Sequence, residues 1–344
     1  MKILGLAARQ RWSEATNANF SRLVSRIALD IKMWQPRNLN LLQRVWIINT
    51  YMLSKLWYLS HVIIWKKQHI AKFTAITGKF LWQGHLYRVQ RDQLCYERDK
   101  GGLGLTSINE KCIALFLKSG LYGPRALSGQ RQVDPFINIA RLSREYREAI
   151  AKRGLLSNTT NVTAAAPIYK DLLQQSGGGT RPRVEAKFPH WQWAQIWDTF
   201  SLRCIPSAWL STLYLFINDQ LPYGEKTLRH GITRTDLCTF CGKKDDKFHM
   251  ITNCNDTEPY KWYLNQLQVV FSVNCSGPDG MVKAFEFKSG TDRTAGVRWL
   301  SSGLIFFKLK RRGELGVIGL KNMLREQRYL MGLGSNGFIK RLRL

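Results

Sequence analysis

The chain has 344 residues and carries 52 Lys+Arg against 24 Asp+Glu, which gives a formal net charge of +28 and a pI near 10.1. Hydrophobic residues make up 44% of it, enough to bury a core, so general disorder is excluded. This excess of positive charge indicates an anionic partner, and nucleic acid is the first candidate because phosphates attract such a field.

The apolar runs and the cysteines indicate the compartment in which the protein works. The strongest apolar run, residues 41–65, is interrupted by Arg44, Lys55 and His61, so we expect no membrane span and no membrane partner. No segment near the start has the long apolar core of a signal peptide. The cysteine count is seven, an odd number, and four of the seven are scattered, which favours a reducing, intracellular compartment.

The amino-terminal part of the chain has helical periodicity. Residues 42–57 place apolar side chains at i, i+3 and i+4 spacing, which predicts a single amphipathic helix, and residues 69–84 repeat the pattern. The glycines of "GGLG", residues 101–104, predict a turn with a permissive backbone, followed by a helix that begins near Ser107. The predicted fold class is therefore mainly α.

Changes in composition divide the chain into four predicted parts. Residues 1–125 form the helical amino-terminal region. Residues 126–186 have Gly-rich and Ser-rich ends around a helical stretch at about 139–153, which predicts a linker with a short helix. Residues 187–262 are rich in tryptophan and cysteine, and residues 263–344 form a basic, helical carboxyl-terminal tail.

The segment "DLCTFCGKKDDKFHMITNC", residues 236–254, has the spacing C-x2-C-x7-H-x4-C. A tight turn can direct two sulfurs that are two residues apart at one ion, and Gly242 directly after them helps the chain leave that turn. The alternative is a chance cluster of buried cysteines with a histidine, but two ligand pairs within so short a span favour a metal site. Four protein ligands leave no position for water, so the spacing predicts one structural zinc ion. His230 is an alternative ligand, but we interpret it as an ordinary histidine at the end of a helix. The predicted ligands are Cys238, Cys241, His249 and Cys254.

Residues 193–254 contain a Trp-bearing helix, a long apolar helix, the stretch "LPYGEKTLRHGI" and then the four ligands. This order resembles the zinc-binding segment near the carboxyl end of LINE-type, non-LTR retrotransposon reverse transcriptases, although Tyr223 stands where a small polar residue is commoner. Residues 34–63, "FLWQG" (80–84) and "GGLGL" (101–105) are similar to the region that follows the polymerase palm in the same proteins. The two matches cover about half of the chain.

The resemblance implies a carboxyl-terminal fragment of the reverse transcriptase polyprotein. It implies thumb-like, post-palm helices in residues 1–125, and a zinc module and tail that grip template RNA and target DNA during target-primed reverse transcription. The partners would be the RNA template or target DNA and the remainder of the polyprotein, in a nuclear and cytoplasmic ribonucleoprotein. The parent family is an RNA-directed DNA polymerase.

No catalytic motif is found in the sequence of this chain. A polymerase palm needs paired carboxylates to hold Mg²⁺, and the only Asp-Asp pair, Asp245-Asp246, lies in the zinc loop, where we interpret it as solvated. Magnesium would belong only to the polymerase region of the parent, which this chain lacks. Two alternatives stay open: a restriction-like nuclease at residues 278–288, whose acids are closer together than that fold requires, and a zinc-stabilised protein-interaction module.

Clusters of lysine and arginine are the candidates for phosphate contacts. They occur in residues 66–79, around the zinc loop, and near residue 310. The predicted nucleic-acid-binding residues are Lys66, Lys67, Lys72, Lys79, Arg229, Arg234, Lys243, Lys244, Lys247, Lys308, Lys310, Arg311 and Arg312.

Tryptophans can either fill a core or offer a face on which bases stack. Six of them follow apolar periodicities and are predicted to be core residues: Trp34, Trp46, Trp57, Trp65, Trp82 and Trp197. Trp191 and Trp193, next to His190, are the better candidates for exposure.

Overall fold

The computed structural model describes residues 2–3, 6–7, 12–83, 89–120, 144–152, 164–176, 182–201, 205–246 and 249, with isolated positions at 265, 303, 304 and 322. The chain forms two units, Met1–Glu97 with Gly102–Thr180, and Arg98–Gly101 with Arg181–Leu344. The described residues are mainly α-helical, which confirms the predicted fold class. The predicted boundaries of the four parts stay predictions.

The first unit contains eight described α-helices and one pair of two-residue antiparallel strands. The strands are β1 (Lys2–Ile3) and β2 (Leu6–Ala7). The helices are α1 (Trp12–Trp34), α2 (Leu41–Ile47), α3 (Ser54–Ser60), α4 (Lys67–Leu81), α5 (Arg91–Leu94), α6 (Ile108–Leu115), α7 (Arg144–Lys152) and α8 (Ala165–Gln175). The second unit contains α9 (Arg183–Lys187), α10 (Trp193–Asp198), α11 (Ser207–Ile217) and α12 (Gly224–Arg229).

The single helix predicted over residues 42–57 is interrupted. α2 begins at a capping box, in which the side chains of Asn40 and Gln43 each accept a hydrogen bond from the other residue's backbone N–H. Residues Ile48–Met52 then form a π-helical turn before α3 begins. A π turn inserts an extra residue and changes the direction of the side chains that follow it.

Asn49, inside this π turn, holds an extended part of the first unit in place. Its Nδ2 donates a hydrogen bond to the carbonyl of Gly104 (2.8 Å), and its Oδ1 accepts one from the N–H of Thr106 (3.0 Å). Gly104 has φ +68°, the left-handed conformation predicted for the glycine turn. α6 follows directly after Ser107, as the sequence predicts.

α6 packs against α7 and α8 to form part of the first unit's core. The buried side chains there are Ile113, Ala114, Phe116, Leu117, Tyr146, Ala149, Ile150 and Ile168. α7 lies within the helical stretch predicted at 139–153, and α8 also lies inside the predicted linker. The described helices within residues 126–186, α7 and α8, therefore supply core side chains to the first unit.

The second unit is built on a row of aromatic rings along α10. Ring centroids of neighbouring members are 4.6–5.7 Å apart in the order Phe188, Trp191, Trp193, Trp197 and Phe200. Trp191 and Trp193, the better candidates for exposure, are both buried, as is Trp197. Buried indoles usually need a partner for their N–H, and Trp193 Nε1 donates to the Phe188 carbonyl (2.8 Å).

Residues Arg98–Gly101 fit against this aromatic row within the second unit. Gly101 has φ +80°, and a Cβ atom on it would lie 2.6 Å from Pro182 Cγ and 2.8 Å from Trp197 Cε2. The Tyr214 hydroxyl on α11 donates a hydrogen bond to the Gly101 carbonyl (3.2 Å). The backbone here approaches the rings so closely that only glycine fits.

Candidate metal centre

The two cysteines of the CxxC pair sit on a tight, hydrogen-bonded turn. The N–H of Cys238 donates to the carbonyl of Lys243 (2.7 Å), and the N–H of Gly242 donates to the carbonyl of Cys238 (2.9 Å). Gly242 has φ +70°, which confirms its predicted role at the exit of the turn. An antiparallel bridge between Leu237 and Lys244 closes the base of the turn.

Three of the four predicted ligands converge on one point. The candidate donor atoms of Cys238, Cys241 and His249 all lie within 4.8 Å of one another, and Cys241 Sγ is 3.1 Å from His249 Nε2. Cys238 and His249 are buried, Cys241 is half-buried, and neither cysteine is in a disulfide. Three donors within this distance form a group that could hold a metal ion.

The donor types fit zinc, and the 3.1 Å between Cys241 Sγ and His249 Nε2 is a little shorter than the donor spacing in a zinc site. Zinc favours thiolate and imidazole ligands, and its bond lengths of about 2.0–2.3 Å place tetrahedral donors about 3.3–3.8 Å apart. The fourth predicted ligand, Cys254, lies outside the described residues. His230, the alternative ligand, is exposed at the end of α12 and does not belong to the described donor group.

The two aspartates of the zinc loop support the site structurally. Asp245 is only 3% exposed, so its interpretation as a solvated residue is wrong. Its Oδ2 accepts a hydrogen bond from the N–H of Gly224 (2.6 Å) at the start of α12, and its backbone pairs with Asp236 and Glu225. Asp246 Oδ1 accepts one from the N–H of His249 (2.7 Å). One carboxylate thus joins the turn to α12, and the other orients the backbone of a ligand.

Gly224 allows α12 to approach the metal-binding turn. A Cβ atom on Gly224 would lie 2.7 Å from the Asp236 carbonyl oxygen and 2.8 Å from Asp245 Cβ. These distances are shorter than real Cβ contacts, so any larger residue would push the backbone of the turn away. Sequence reasoning missed this contact because Gly224 and Asp245 are 21 residues apart.

Tyr223, the departure from the retrotransposon pattern, is a buried anchor just before α12. Its hydroxyl donates a hydrogen bond to the Asp219 carboxylate, and the Lys226 ammonium donates one to the Asp219 carbonyl. Burial, and then the neighbouring Asp219 carboxylate, raise the pKa of the Tyr223 phenol above its usual range. The tyrosine therefore stays neutral and helps to fix the entry into α12.

The described basic residues from the predicted nucleic-acid set are exposed. Around the zinc turn these are Arg229, Arg234, Lys243 and Lys244, and on or beside α4 they are Lys66, Lys67, Lys72 and Lys79. The guanidinium of Arg229 also lies 3.1 Å from the Glu225 carboxylate, one helical turn away. Exposure is the first requirement for a phosphate contact, and the contact itself stays a prediction. Lys247, Lys308, Lys310, Arg311 and Arg312 lie outside the described residues.

The comparisons with known proteins add no family to these observations. No family model matches the chain, and no characterised protein matches it significantly. The resemblance to LINE-type reverse transcriptases thus stays a prediction from motifs. The alternative nuclease segment, residues 278–288, lies outside the described residues. Among the described helices, none has both the length and the apolar run that crossing a membrane requires.

Proposed function

We propose that this chain is a nucleic-acid-binding protein that holds one structural zinc ion, and that it is the carboxyl-terminal region of a non-LTR retrotransposon reverse transcriptase. The observation that carries the proposal is the convergence of Cys238, Cys241 and His249 beside exposed arginines and lysines, in a chain whose net charge is +28. We propose no catalysis by the chain itself.

The role of the zinc ion in this proposal is to fix the fold of the second unit. Two cysteines on the turn, His249 and Cys254 would fill its tetrahedral shell and leave no position for a reacting water. The turn is already tied to α12 through Asp245. Binding the ion would add the His249 segment to this assembly, because metal-binding free energy becomes folding free energy in small sites.

The role of the exposed cations is to contact phosphates. Lys72 and Lys79 are seven residues apart, so they lie on the same side of α4, and both are exposed. Lys243 and Lys244 place two further charges on the zinc turn itself. Contacts of this kind supply affinity and register without reading sequence, as gripping template RNA or target DNA requires.

The test is a salt titration of binding to labelled single-stranded RNA and duplex DNA, followed by fluorescence anisotropy. We expect the logarithm of the binding constant to fall linearly with the logarithm of salt concentration between about 50 and 200 mM. Lys72→Ala and Lys79→Ala should each reduce the slope by about 0.7–0.9, the amount for one lost phosphate contact.

Lys170→Ala is the matched control for this titration. Lys170 is also an exposed lysine on a helix of the first unit, but its ammonium lies 3.9 Å from the Glu97 carboxylate. Its removal should leave the slope unchanged, because Lys170 is not among the residues predicted to contact phosphates. Binding that does not respond to salt would rule out the nucleic-acid proposal.

The retrotransposon assignment has a separate test in the genomic sequence upstream of the coding region. We expect an in-frame or frameshifted palm, with its paired aspartates, immediately before this chain. An unrelated gene at that position, in every copy of the locus, would refute the assignment and leave the nucleic-acid proposal intact.

A further inference from the structure

Three aromatic side chains of the first unit form a partly exposed cluster, which we call the aromatic platform: Trp34, Trp46 and Tyr51. The ring centroid of Tyr51 lies 5.4 Å from that of Trp34 and 5.6 Å from that of Trp46. Trp46 is 54% exposed and Tyr51 is 42% exposed. The prediction that Trp46 is a core residue is therefore wrong.

Both rings lie off the buried side of the segment that carries them. The buried side of α2 and the π turn includes Leu42, Val45, Ile48 and Met52. Trp46 and Tyr51 are left outside this buried side, although the i, i+3, i+4 count assigns Trp46 to it. Exposing two large rings is costly in water, so a partner that covers them is expected.

The segment that carries the aromatic platform is basic. Arg37, which is exposed, places its guanidinium carbon 4.4 Å from the ring centroid of Trp34. Residues 12–66 contain seven Lys/Arg and two Asp/Glu, a net charge of +5, and one of the acids, Asp30, is paired with Lys55. The partner should therefore combine flat apolar faces with negative charge.

We propose that the aromatic platform stacks the bases of a single-stranded nucleic acid while Arg37 contacts its phosphates. Unpaired bases offer π faces to exposed aromatic side chains, whereas the bases of a duplex are stacked on each other and cannot reach them. This inference rests on the proposed function and deepens it, because it names the strand state that the first unit selects.

The test compares the unchanged protein with Trp46→Ala and Tyr51→Ala on three probes: oligo-U RNA, oligo-dT DNA and a DNA duplex of equal length. Each substitution should weaken binding to the single strands on the order of ten-fold and leave duplex binding unchanged. The salt slope should stay the same, since a ring contacts no phosphate. The two single-stranded probes show whether RNA or DNA is preferred.

Two further variants keep the test decisive. Trp46→Phe retains a ring and should recover most of the affinity, even if Trp46→Ala is poorly folded. Tyr58→Ala removes a tyrosine that is 56% exposed and lies outside the platform, and it should bind as the unchanged protein does.

The possible outcomes separate this inference from the proposed function. Normal single-strand affinity in both alanine variants, with the salt dependence retained, would overturn the platform alone. An equal loss on single strands and duplex would also overturn it, because stacking requires unpaired bases. No salt-dependent binding by the unchanged protein would overturn the platform and the proposed function together.

Discussion

Gly224 and Asp245 show how much of the metal-binding turn depends on single residues. The carboxylate of Asp245 is buried and accepts the N–H of Gly224, and the missing side chain of Gly224 allows that contact. A buried N–H that loses its acceptor costs about 1–3 kcal/mol. The pair therefore couples α12 to the turn that carries Cys238 and Cys241.

We expect Gly224→Ala to lower the free energy of unfolding of the second unit by roughly 1–3 kcal/mol, because the added Cβ would overlap the Asp236 carbonyl. Urea titration of the zinc-loaded protein, with zinc release as a second signal, measures the effect. Both signals should move to lower urea together.

Gly231→Ala is the control for Gly224→Ala. Gly231 has φ +67°, but nothing lies within 4 Å of the position its Cβ would take, so the cost is conformational and roughly 1 kcal/mol. A larger loss in Gly231→Ala than in Gly224→Ala would show that close packing at Gly224 is not what stabilises the turn.

At the scale of elements, the π turn Ile48–Met52 connects two helices and also holds the extended segment before α6. Asn49 makes both hydrogen bonds to that segment. In the periodicity of residues 42–57, Asn49 occupies a position on the apolar face. The sequence therefore predicts that its side chain faces inward, but not that it forms these hydrogen bonds. The role of Asn49 could not be predicted, because its hydrogen-bond partners are more than 50 residues away.

We expect Asn49→Ala to destabilise the first unit by about 1 kcal/mol for the lost hydrogen bonds, measured by urea unfolding followed by far-ultraviolet circular dichroism. Asn49→Asp retains the acceptor for Thr106 but places a carboxylate oxygen against the Gly104 carbonyl, so that two acceptors face each other, and its effect should be at least as large. Equal stability of all three proteins would show that this clamp contributes nothing.

For the whole molecule, the candidate metal ligands belong to one unit only. Cys238, Cys241, His249 and the predicted Cys254 all fall within the second unit. The helical class and the converging ligands could be predicted from periodicity and spacing. The buried supports of the site could not, because an aspartate that accepts a distant N–H has no local sequence pattern.

We expect a chelator to lower the melting temperature of the second unit and to leave that of the first unit unchanged, since binding stabilises only the part that holds the ion. Differential scanning calorimetry should show two transitions, of which one shifts. Cys241→Ser should reproduce the shift and reduce the zinc content.

Cys112→Ala is the matched control for this experiment. Cys112 is buried in the first unit, where burial raises the pKa of its thiol to about 12, so it has no tendency to form a thiolate ligand. Its substitution should shift the melting transition of the first unit and leave the zinc content unchanged. A chelator that shifts both transitions equally would contradict the assignment of zinc to one unit.

The path of the chain through Arg98–Gly101 limits how the two units can be separated. The backbone passes between the units three times, after residues 97, 101 and 180. A peptide that starts at Arg181 would lack the glycine that lies against Trp197 and accepts the Tyr214 hydroxyl. No single cut therefore releases the second unit whole. A deletion of residues 98–101 would likewise remove the Gly101 contacts to Trp197 and Tyr214 from the second unit.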